Sequence, residues 1–561
     1  MKNSQKSILA IGGIGILVFV SAFGGIFLTR NLKKTAKTVN MEEASAVIER
    51  YAKKIGATQA EVIKSAVELA DTQVDELPDI DKNEVTIQPV TKLYAEIFST
   101  YEKCGKGKNG WMNEVAEKFN QAGYEVDGQP VSVMIRNVAS GLGMDYISTG
   151  KYVPDGYSPS NDFWGKMLLA DGIFMEEISS GLVNNTAGIL LSKDTQEKLT
   201  KRYGSINLKT IVEATAGGEF AMGYTNPNAS ATGLNFLIST LQTYNAKEPL
   251  SEESVEGFQA FQTNVPFVAY TTEQMSKAAE TGSLDGFIME YQTYINDPGL
   301  TRKYQFTPFG FFHTNPLYTT RDTDSRKKEI LKLFSEFSAN EENQRLAAEY
   351  GFNADLNYIV EQAEVDGDTL LSAQELWKKE KDSGKPILAV FVADVSGSMD
   401  GEPLNSLKTS LINGMKYINT NNYIGLVSYS DEVVIHVPVG EFNLNHQSAF
   451  KGAVENLSAA GGTATFDGII VAADMLIQAK EQYPDAKLMM FVLSDGETNR
   501  GYSLKDIQNP IDALNIPIYT IGYNADLPAL ESISAINEAA SINADSDDVI
   551  YKLKNLFNSS L

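Results

Sequence analysis

The sequence is poor in the two side chains on which many metal, redox and catalytic sites depend. Its 561 residues include one cysteine, Cys104, and three histidines, His313, His436 and His446. A single cysteine excludes a disulfide within the chain and any zinc or iron–sulfur site built on cysteine thiolates. Three histidines leave little material for a catalytic triad, and one thiol leaves little for a thiol–imidazole pair.

Common catalytic motifs are also absent. The sequence contains no Gly-x-Ser-x-Gly and no His-Glu-x-x-His. The glycine-rich run at 105–110 looks like a phosphate cradle but lacks the Gly-x-x-x-x-Gly-Lys-Ser/Thr pattern, and we interpret it as a mobile basic loop. Without a nucleophile elbow, a zinc-protease helix or a phosphate-binding loop, the usual hydrolase classes have no support. We therefore expect a binding protein and not an enzyme.

Positive charge is in short supply. Lys and Arg number 47 against 72 Asp and Glu, which gives a net charge of −25. This balance argues against nucleic acid as a partner and against a surface that lies flat on anionic lipid, because neither phosphate nor headgroup would be neutralised. Hydrophobic residues make up 43% of the chain, which predicts well-packed cores. A length of 561 residues is enough for two or three domains.

One long uncharged run lies near the N-terminus. Ile8–Leu28 is 21 residues without a charge, and as a helix it would be about 31 Å long, enough to cross a bilayer core. Cleavage after Ala22 is an alternative, but the apolar run continues past that point. We expect an uncleaved, single-pass anchor in the cell membrane. Basic residues flank both ends, so charge does not set the orientation.

Three polar segments in the last third of the chain are placed for metal binding. Two of them follow apolar runs and one precedes a helical pattern: Asp394–Ser398, Ser494–Glu497 and Gly461–Thr465. Because parallel strands bring such loops to one edge of a sheet, their carboxylates and hydroxyls should lie together. An oxygen-only donor set of this kind suits Mg²⁺ or Mn²⁺.

These segments resemble the metal-ion-dependent adhesion site of a von Willebrand factor type A (vWA) domain, with a match from about Lys385 to the C-terminus. The resemblance implies a doubly wound, Rossmann-like α/β fold and a protein partner that offers a carboxylate to the metal. We interpret Glu497, the one nearby acid that could act as a base, as a solvated surface residue. The expected metal ligands, some of them acting through water, are Asp394, Ser396, Ser398, Thr463 and Asp495.

Residues 91–356 alternate short apolar strands with helical stretches, which predicts an α/β region large enough for two lobes. Within it, Ala221–Phe236 is typical of a strand, a hydroxyl- and Asn-rich turn and a helix start. This stretch resembles an extracellular solute-binding protein of the periplasmic type II fold, in whose oxyanion-binding members the turn contacts the ligand. Backbone N–H groups at a helix start favour a small anionic solute. The alternative is that the hydroxyls only cap the helix.

The predicted solute-binding residues lie in segments expected to face one another across a cleft. Tyr270 and Tyr291 are expected to line its walls. The predicted ligand-binding residues are Asn137, Ser140, Gly141, Ser158, Ser160, Asn161, Thr225, Ser230 and Thr232.

Five segments are expected along the chain. The helical pattern after Met41 fits either a stalk or a helix packed on the next domain. The predicted order is a membrane anchor with its flanks at 1–40, a helical stalk and linker at 41–90, a solute-binding-protein-like domain at 91–356, a linker helix at 357–384 and a vWA domain at 385–561.

Three functions follow from this organisation, in descending order of support. The first is a membrane-anchored extracellular protein whose vWA domain binds a protein partner through a divalent cation. The second is a receptor for a small solute or anion, with the vWA domain as an accessory. The third is an enzyme that uses the metal as a Lewis acid. The extracellular placement rests on what the two domains resemble.

The expected topology is tested by protease treatment of intact cells. If residues after about Arg30 are outside the cell, added protease should remove an epitope fused at Leu561. The same epitope on a cytoplasmic protein should stay intact. Full protection of the Leu561 epitope in intact cells, with loss after lysis, would contradict the prediction.

Overall fold

The chain, described by a computed structural model, folds into two compact units. The described residues are 40–67, 77–220, 222–265, 267–269, 275, 284–381, 385–496, 498–514, 516–523, 541–544, 556 and 561. The central unit comprises Thr72–Gly384, and the discontinuous unit comprises Met1–Asp71 together with Lys385–Leu561. The central unit is therefore inserted into the sequence of the other.

The discontinuous unit starts with helix α1 (Met41–Ile55). Its first turn is capped by Asn40, whose side chain accepts a hydrogen bond from the backbone N–H of Glu43. Ala44 and Ile48 lie one turn apart and are fully buried in a hydrophobic cluster of this unit. A two-residue strand, β1 (Thr58–Gln59), follows and pairs in parallel with residues 434 and 435.

The central unit contains two lobes, each built on a sheet. Its strands are β2 (Val85–Ile87), β3 (Leu93–Ser99), β4 (Glu125–Val126), β5 (Gln129–Asn137), β6 (Gly156–Ser158), β7 (Met175–Ser179), β8 (Asn185–Ser192), β9 (Met222–Thr225), β10 (Phe267–Ala269), β11 (Gly286–Glu290), β12 (Tyr304–His313) and β13 (Leu317–Thr320). The first lobe has the strand order β2-β5-β3-β6-β13-β7, with β4 paired to β5, and the second has the order β10-β9-β11-β8-β12.

Helices cover both sheets of the central unit, as expected of an α/β fold. They are α2 (Tyr101–Cys104), α3 (Trp111–Gln121), α4 (Ser140–Thr149), α5 (Phe163–Ala170), α6 (Lys193–Tyr203), α7 (Leu208–Ala216), α8 (Ala231–Tyr244), α9 (Glu252–Gln262), α10 (Tyr291–Asn296), α11 (Pro298–Lys303), α12 (Ser325–Ser338), α13 (Glu341–Glu349) and α14 (Gly367–Glu380).

The second part of the discontinuous unit supplies most of its sheet. Its strands are β14 (Ile387–Asp394), β15 (Tyr423–Tyr429), β16 (Val433–Glu441), β17 (Lys487–Ser494), β18 (Ile518–Tyr523) and β19 (Ser541–Ala544). Its helices are α15 (Glu402–Gly414), α16 (Leu444–Glu455), α17 (Thr465–Gln482) and α18 (Leu504–Leu514). The strand order is β1-β16-β15-β14-β17-β18-β19, and β16 runs antiparallel to β15.

The core of this unit lies on both faces of the sheet. Every residue of the central strand β14 is buried, as a parallel strand covered on both faces requires. Alternate residues of β14 point into two clusters: Ala389 and Phe391 join one, and Val390 and Val392 join the other. The polar end of the strand, Asp394, is thereby carried to the edge of a rigid sheet.

The segment expected to be a stalk and linker at 41–90 is instead divided between the two units. Helix α1 packs on α17 and α18, because its apolar stripe needs a surface to cover it. The backbone continues the contact: Ala60 N–H donates to Ile435 O at 2.9 Å, and Ser65 N–H donates to Ser448 O at 3.0 Å. Further along, β2 forms an edge strand of the first lobe and pairs with β5.

The segment expected to be a linker helix at 357–384 also belongs to a unit. Helix α14 packs against α5, α8 and α9 within the central unit. Its Trp377 is fully buried, and the indole N–H donates to Tyr224 Oη at 2.6 Å. Gly367 lies so close to α5 that an added Cβ would be 2.2 Å from Lys166 O. The helix is therefore a packed element and not a spacer.

The predicted membrane anchor at Ile8–Leu28 lies outside the described residues. Among the residues that the structure does describe, no helix combines the length and apolarity needed to cross a membrane.

The packing of α1 predicts that the discontinuous unit loses stability when its buried side chain is shortened. Ile48→Ala should lower the free energy of unfolding of this unit by about 2–5 kcal/mol, because a buried isoleucine leaves a cavity. Ile359→Ala is the matched control, since that side chain is 80% exposed. Urea unfolding of the full chain, followed in the transition of this unit, checks the effect. Equal midpoints for both variants would contradict the packing.

Candidate metal centre and solute cleft

The three polar segments at the carboxyl edge of the discontinuous unit's sheet come together. Gly397 N–H donates to Gly461 O at 3.0 Å, which joins the loop after β14 to the loop before α17. Gly461 adopts a positive φ of 82°, a conformation that glycine accepts without strain. Ser398 Oγ donates to Asp495 Oδ1 at 3.0 Å and joins the first loop to the one after β17.

Three oxygens at this edge have the spacing of metal ligands. Ser396 Oγ and Ser398 Oγ are 3.1 Å apart, and Ser398 Oγ is 3.0 Å from Asp495 Oδ1. Adjacent ligands of an octahedral Mg²⁺ with bonds of 2.0–2.1 Å lie about 2.9 Å apart. Hydroxyl and carboxylate oxygens also have the hard character that Mg²⁺ and Mn²⁺ prefer. The residues present therefore fit such an ion.

Asp394 is the buried carboxylate of the cluster. Its Oδ1 accepts from the backbone N–H of Ser396 at 2.8 Å, and its Oδ2 accepts from Ser494 Oγ at 2.6 Å and Tyr429 Oη at 3.2 Å. Burial raises the pKa of Asp394 above its ordinary value, and the hydrogen bonds from Ser396 and Ser494 oppose that shift. The hydrogen bonds thus hold the carboxylate in one orientation, while burial makes its charged form less favourable.

Thr463 lies on the neighbouring loop and is bound to the segment after Asp495. Its N–H donates to Asn499 Oδ1 at 2.9 Å, and its hydroxyl accepts from Asn499 Nδ2 at 3.4 Å. Just outside, Asp431 pairs with Arg500 at 2.8 Å and accepts from Gly462 N–H at 3.0 Å. Asp394 and Ser396 are buried whereas Ser398 is exposed, so the cluster opens to solvent on the Ser398 side. Glu497 lies outside the described residues.

In the central unit, predicted solute-binding residues from the two lobes meet. Gly141 N–H, at the start of α4 in the first lobe, donates to Ala229 O of the second at 3.2 Å. Asn161 Nδ2 donates to Ala231 O at 3.5 Å. Ser140 Oγ accepts from Ser160 N–H at 3.4 Å. The turn before α8 thus faces the start of α4.

The hydroxyls of this region are bound to protein acceptors. Thr225 donates to Ser230 Oγ at 2.9 Å, and Ser230 in turn caps α8 by accepting from Gly233 N–H at 3.3 Å. Thr232 donates to Glu290 Oε1. Capping, the alternative interpretation, therefore applies to Ser230.

The remaining predicted cleft residues occupy different positions. Ser158, at the end of β6, is fully buried, and Asn137 ends β5 with its N–H bound to Glu84 O at 2.9 Å. Tyr291 begins α10 and packs edge-on against Phe306 at a centroid distance of 5.2 Å. Tyr270 lies outside the described residues.

Comparison with known families agrees with this division of the chain. Residues 389–558 match the family described as von Willebrand factor type A domain. Residues 104–353 match the family described as bacterial extracellular solute-binding protein. The chain carries a solute-binding domain followed by a vWA domain. The solute-binding match lies within the central unit and the vWA match within the second part of the discontinuous unit.

Curated relatives are similar to about a quarter to a third of this chain. Inter-alpha-trypsin inhibitor heavy chain H4 of Sus scrofa is 30% identical over 190 residues, which cover 32% of this chain and 20% of that protein. Heavy chain H1 of Mesocricetus auratus is 28% identical over 150 residues, covering 25% and 16%. The chain thus spans a fifth or less of the length of these relatives.

Two solved structures are partly similar to this chain. A periplasmic thiamin binding protein is 9% identical and covers 52% of this chain and 96% of its own, with a TM-score of 0.37. A von Willebrand factor type A protein from Catenulispora acidiphila is 19% identical, covers 31% and 42%, and has a TM-score of 0.27.

Sequence reasoning missed several residues of the vWA edge and the cleft. Ser494 and Tyr429 orient Asp394; Ser494 was visible in the quoted Ser-Asp-Gly segment, but Tyr429 is recognised only from the pairing of β14 with β15. In the solute-binding domain, no sequence pattern indicated the ionisable residues at the lobe contact. They are the buried Lys103, Glu290 and His313 and the partly buried Glu102.

The raised pKa of Asp394 predicts a pH dependence of the metal-free vWA unit. The Asp394 carboxyl binds its proton more tightly in the folded state than in the unfolded state. Its contribution to the free energy of unfolding therefore falls as the pH rises above its ordinary pKa of 3.8. In EDTA, Asp394→Asn should therefore gain stability relative to wild type across this rise. The amide also changes stability by an amount that does not depend on pH, so only the change with pH of the difference between variant and wild type is compared. Urea unfolding between about pH 4 and 8 measures this difference in the free energy of unfolding. A relative loss for Asp394→Asn would contradict the assignment.

Proposed function

We propose that this protein is a membrane-anchored extracellular binding protein whose vWA domain holds a divalent cation and, through it, a protein partner. The observation that carries the proposal is the spacing of Ser396 Oγ, Ser398 Oγ and Asp495 Oδ1 at 3.1 and 3.0 Å. These oxygens come from two loops that the sheet brings to one edge. Neutral hydroxyls and carboxylates so arranged favour Mg²⁺ or Mn²⁺.

The chain's own residues would hold the ion partly as direct ligands and partly through water. Ser396, Ser398 and Asp495 are placed as direct ligands, whereas Asp394 has both carboxylate oxygens engaged by protein donors and would act through water. Thr463 lies on the adjoining loop and is the remaining hydroxyl. The ion would supply positive charge at a place where the protein alone presents carboxylates.

Partner binding is proposed on the exposed side of this edge. Mg²⁺ takes six oxygens and usually keeps waters, so side chains that supply three direct ligands leave positions open. Ser398 is exposed while Asp394 and Ser396 are buried, which directs the open positions to solvent. A carboxylate of the partner could replace a water there and supply the missing negative charge.

An enzymatic role has less support than a binding role. The two matched families are a solute-binding protein and a vWA domain, and the residues around Asp394 are engaged in orienting the carboxylate and joining the loops. Location at the cell surface, with Ile8–Leu28 as the anchor, is part of the proposal and rests on the length of that uncharged run.

The metal proposal is tested by titration of the full chain with Mg²⁺ and Mn²⁺. The full chain is required because α1 and β1 belong to the same unit as the vWA domain. Asp394→Ala should abolish metal binding and metal-dependent partner capture, whereas Ser396→Ala should weaken the metal by a smaller factor since water can replace a neutral ligand. Asp485→Ala, an exposed acid, is the control. Equal metal affinity in wild type and Asp394→Ala would overturn the site.

A second candidate function is a solute receptor. The observation that favours it is the meeting of predicted ligand residues from two lobes, through Gly141 to Ala229 and Asn161 to Ala231. Clefts between lobes are common ligand sites, because they bury most of a small molecule's surface. In this function the solute-binding domain captures the ligand and the vWA domain is an accessory.

A further inference from the structure

We propose that helix α14 is a clasp that holds the two lobes of the solute-binding domain closed, so that a solute enters or leaves when α14 is released from the first lobe. The proposal rests on the solute-receptor function given above as the second candidate, and it concerns the regulation of that cleft. Helix α14 begins after the solute-binding match, which ends at residue 353, and it ends before the vWA match, which begins at residue 389. It is therefore outside the segments that match the two families.

The two lobes are connected by two crossings of the chain. The chain leaves the first sheet after β7 to enter β8 of the second, and it returns from β12 to β13. Lobes joined in this way rotate as rigid bodies about the connecting segments when a cleft opens. The lobes are closed in this structure: Gly141 N–H of the first lobe donates to Ala229 O of the second at 3.2 Å, and a Cβ added to Gly141 would be 2.1 Å from Asn228 O.

Helix α5 of the first lobe and helix α8 of the second both begin at the lobe contact. Asn161, two residues before α5, donates through Nδ2 to the carbonyl oxygen of Ala231, the first residue of α8, at 3.5 Å. Phe163, the first residue of α5, packs edge-on against Phe311 of β12 at a centroid distance of 5.0 Å. Opening the cleft at this contact therefore moves the start of α5 away from the start of α8.

Helix α14 packs against helices of both lobes, namely α5 of the first and α8 and α9 of the second. Its first residue, Gly367, lies against α5, and Trp377, near its other end, lies against the second lobe. Because a packed α-helix moves as one body, α14 cannot follow both lobes when they separate. One of its two contact surfaces must therefore break before the cleft opens at the lobe contact.

The contact of α14 with the second lobe includes a large buried side chain and directed hydrogen bonds. Trp377 is fully buried, and its indole N–H donates to Tyr224 Oη at 2.6 Å. Gln374 Nε2 donates to Pro227 O, in the turn before α8, at 2.8 Å. Buried aromatic side chains contribute much of the energy of a packing contact. We therefore expect α14 to stay on the second lobe when the cleft opens.

The contact of α14 with the first lobe depends on the close packing of small residues. A Cβ added to Gly367 would be 2.2 Å from Lys166 O and 2.9 Å from Ala170 Cβ. Lys166 also pairs with Glu364 at 3.5 Å, but the Glu364 side chain is 90% exposed, and surface ion pairs contribute little to stability. Release is therefore expected at α5. Because a closed cleft blocks the passage of a solute, this release sets how fast a solute is exchanged.

The clasp is tested by hydrogen–deuterium exchange of the full chain without solute. The readout is the amide of Gly141, whose hydrogen bond to Ala229 O joins the lobes. Gly367→Val places a branched side chain against Lys166 O and should free α14 from α5, so the Gly141 amide should exchange about tenfold faster than in wild type. Ser372→Val, the matched control, adds the same side chain at an exposed position of α14 and should leave the exchange unchanged.

Amides of the largely buried strand β3 serve as the reference for global stability. Unchanged exchange at Gly141 in a Gly367→Val variant whose β3 exchanges as in wild type would overturn the clasp. A wild-type Gly141 amide that exchanges as fast as in an unfolded chain would overturn it as well. If Gly367→Val raises exchange in β3 too, Ala170→Leu, which adds the bulk on α5, decides by the same criteria. The measurement uses no solute, so failure of the clasp is distinguishable from failure of the receptor function.

Discussion

The parallel pairing of β14 with β15 and β17 is the constraint on which the proposed metal centre depends. Its register sets Asp394 opposite Tyr429 and Ala393 opposite Leu493, so Ser494 follows at the level of Asp394. A slip by one residue would turn the strand's apolar side chains to the wrong faces and carry the carboxylate away from its donors. The burial of every residue of β14 therefore secures the geometry of a polar site that lies at its end.

The same sheet extends to a segment far away in sequence. Strand β1 adds to its edge beside β16, and α1 covers α17 and α18. Contacts continue past β1, where Lys451 donates to Ala66 O at 2.6 Å and Ser448 to Ser65 O at 2.7 Å. The vWA fold is thus completed by residues that precede the solute-binding domain. As a result, the solute-binding domain is connected to the other unit through both of its ends.

Hydroxyl-rich segments have different roles at the two sites. At the vWA edge, Ser396 Oγ and Ser398 Oγ lie 3.1 Å apart beside the buried Asp394, a spacing that fits the proposed divalent ion. At the lobe contact, Ser160 donates to Glu102 and Thr232 donates to Glu290. Hydroxyls that look alike in the sequence therefore contact different partners in the fold.

The sequence by itself determined the domain types, the three polar loop segments of the proposed metal centre and most strands, because buried parallel strands are continuous apolar runs and the motif residues lie directly beside them. It located Asp394, Ser396, Ser398 and Asp495 for the same reason. Only the tertiary structure decided that α1 packs on the vWA fold, that Tyr429 orients Asp394 and that Thr232 donates to Glu290. Those contacts join residues at least 35 positions apart, and no local pattern specifies which distant surface a helix covers or which acid a hydroxyl reaches.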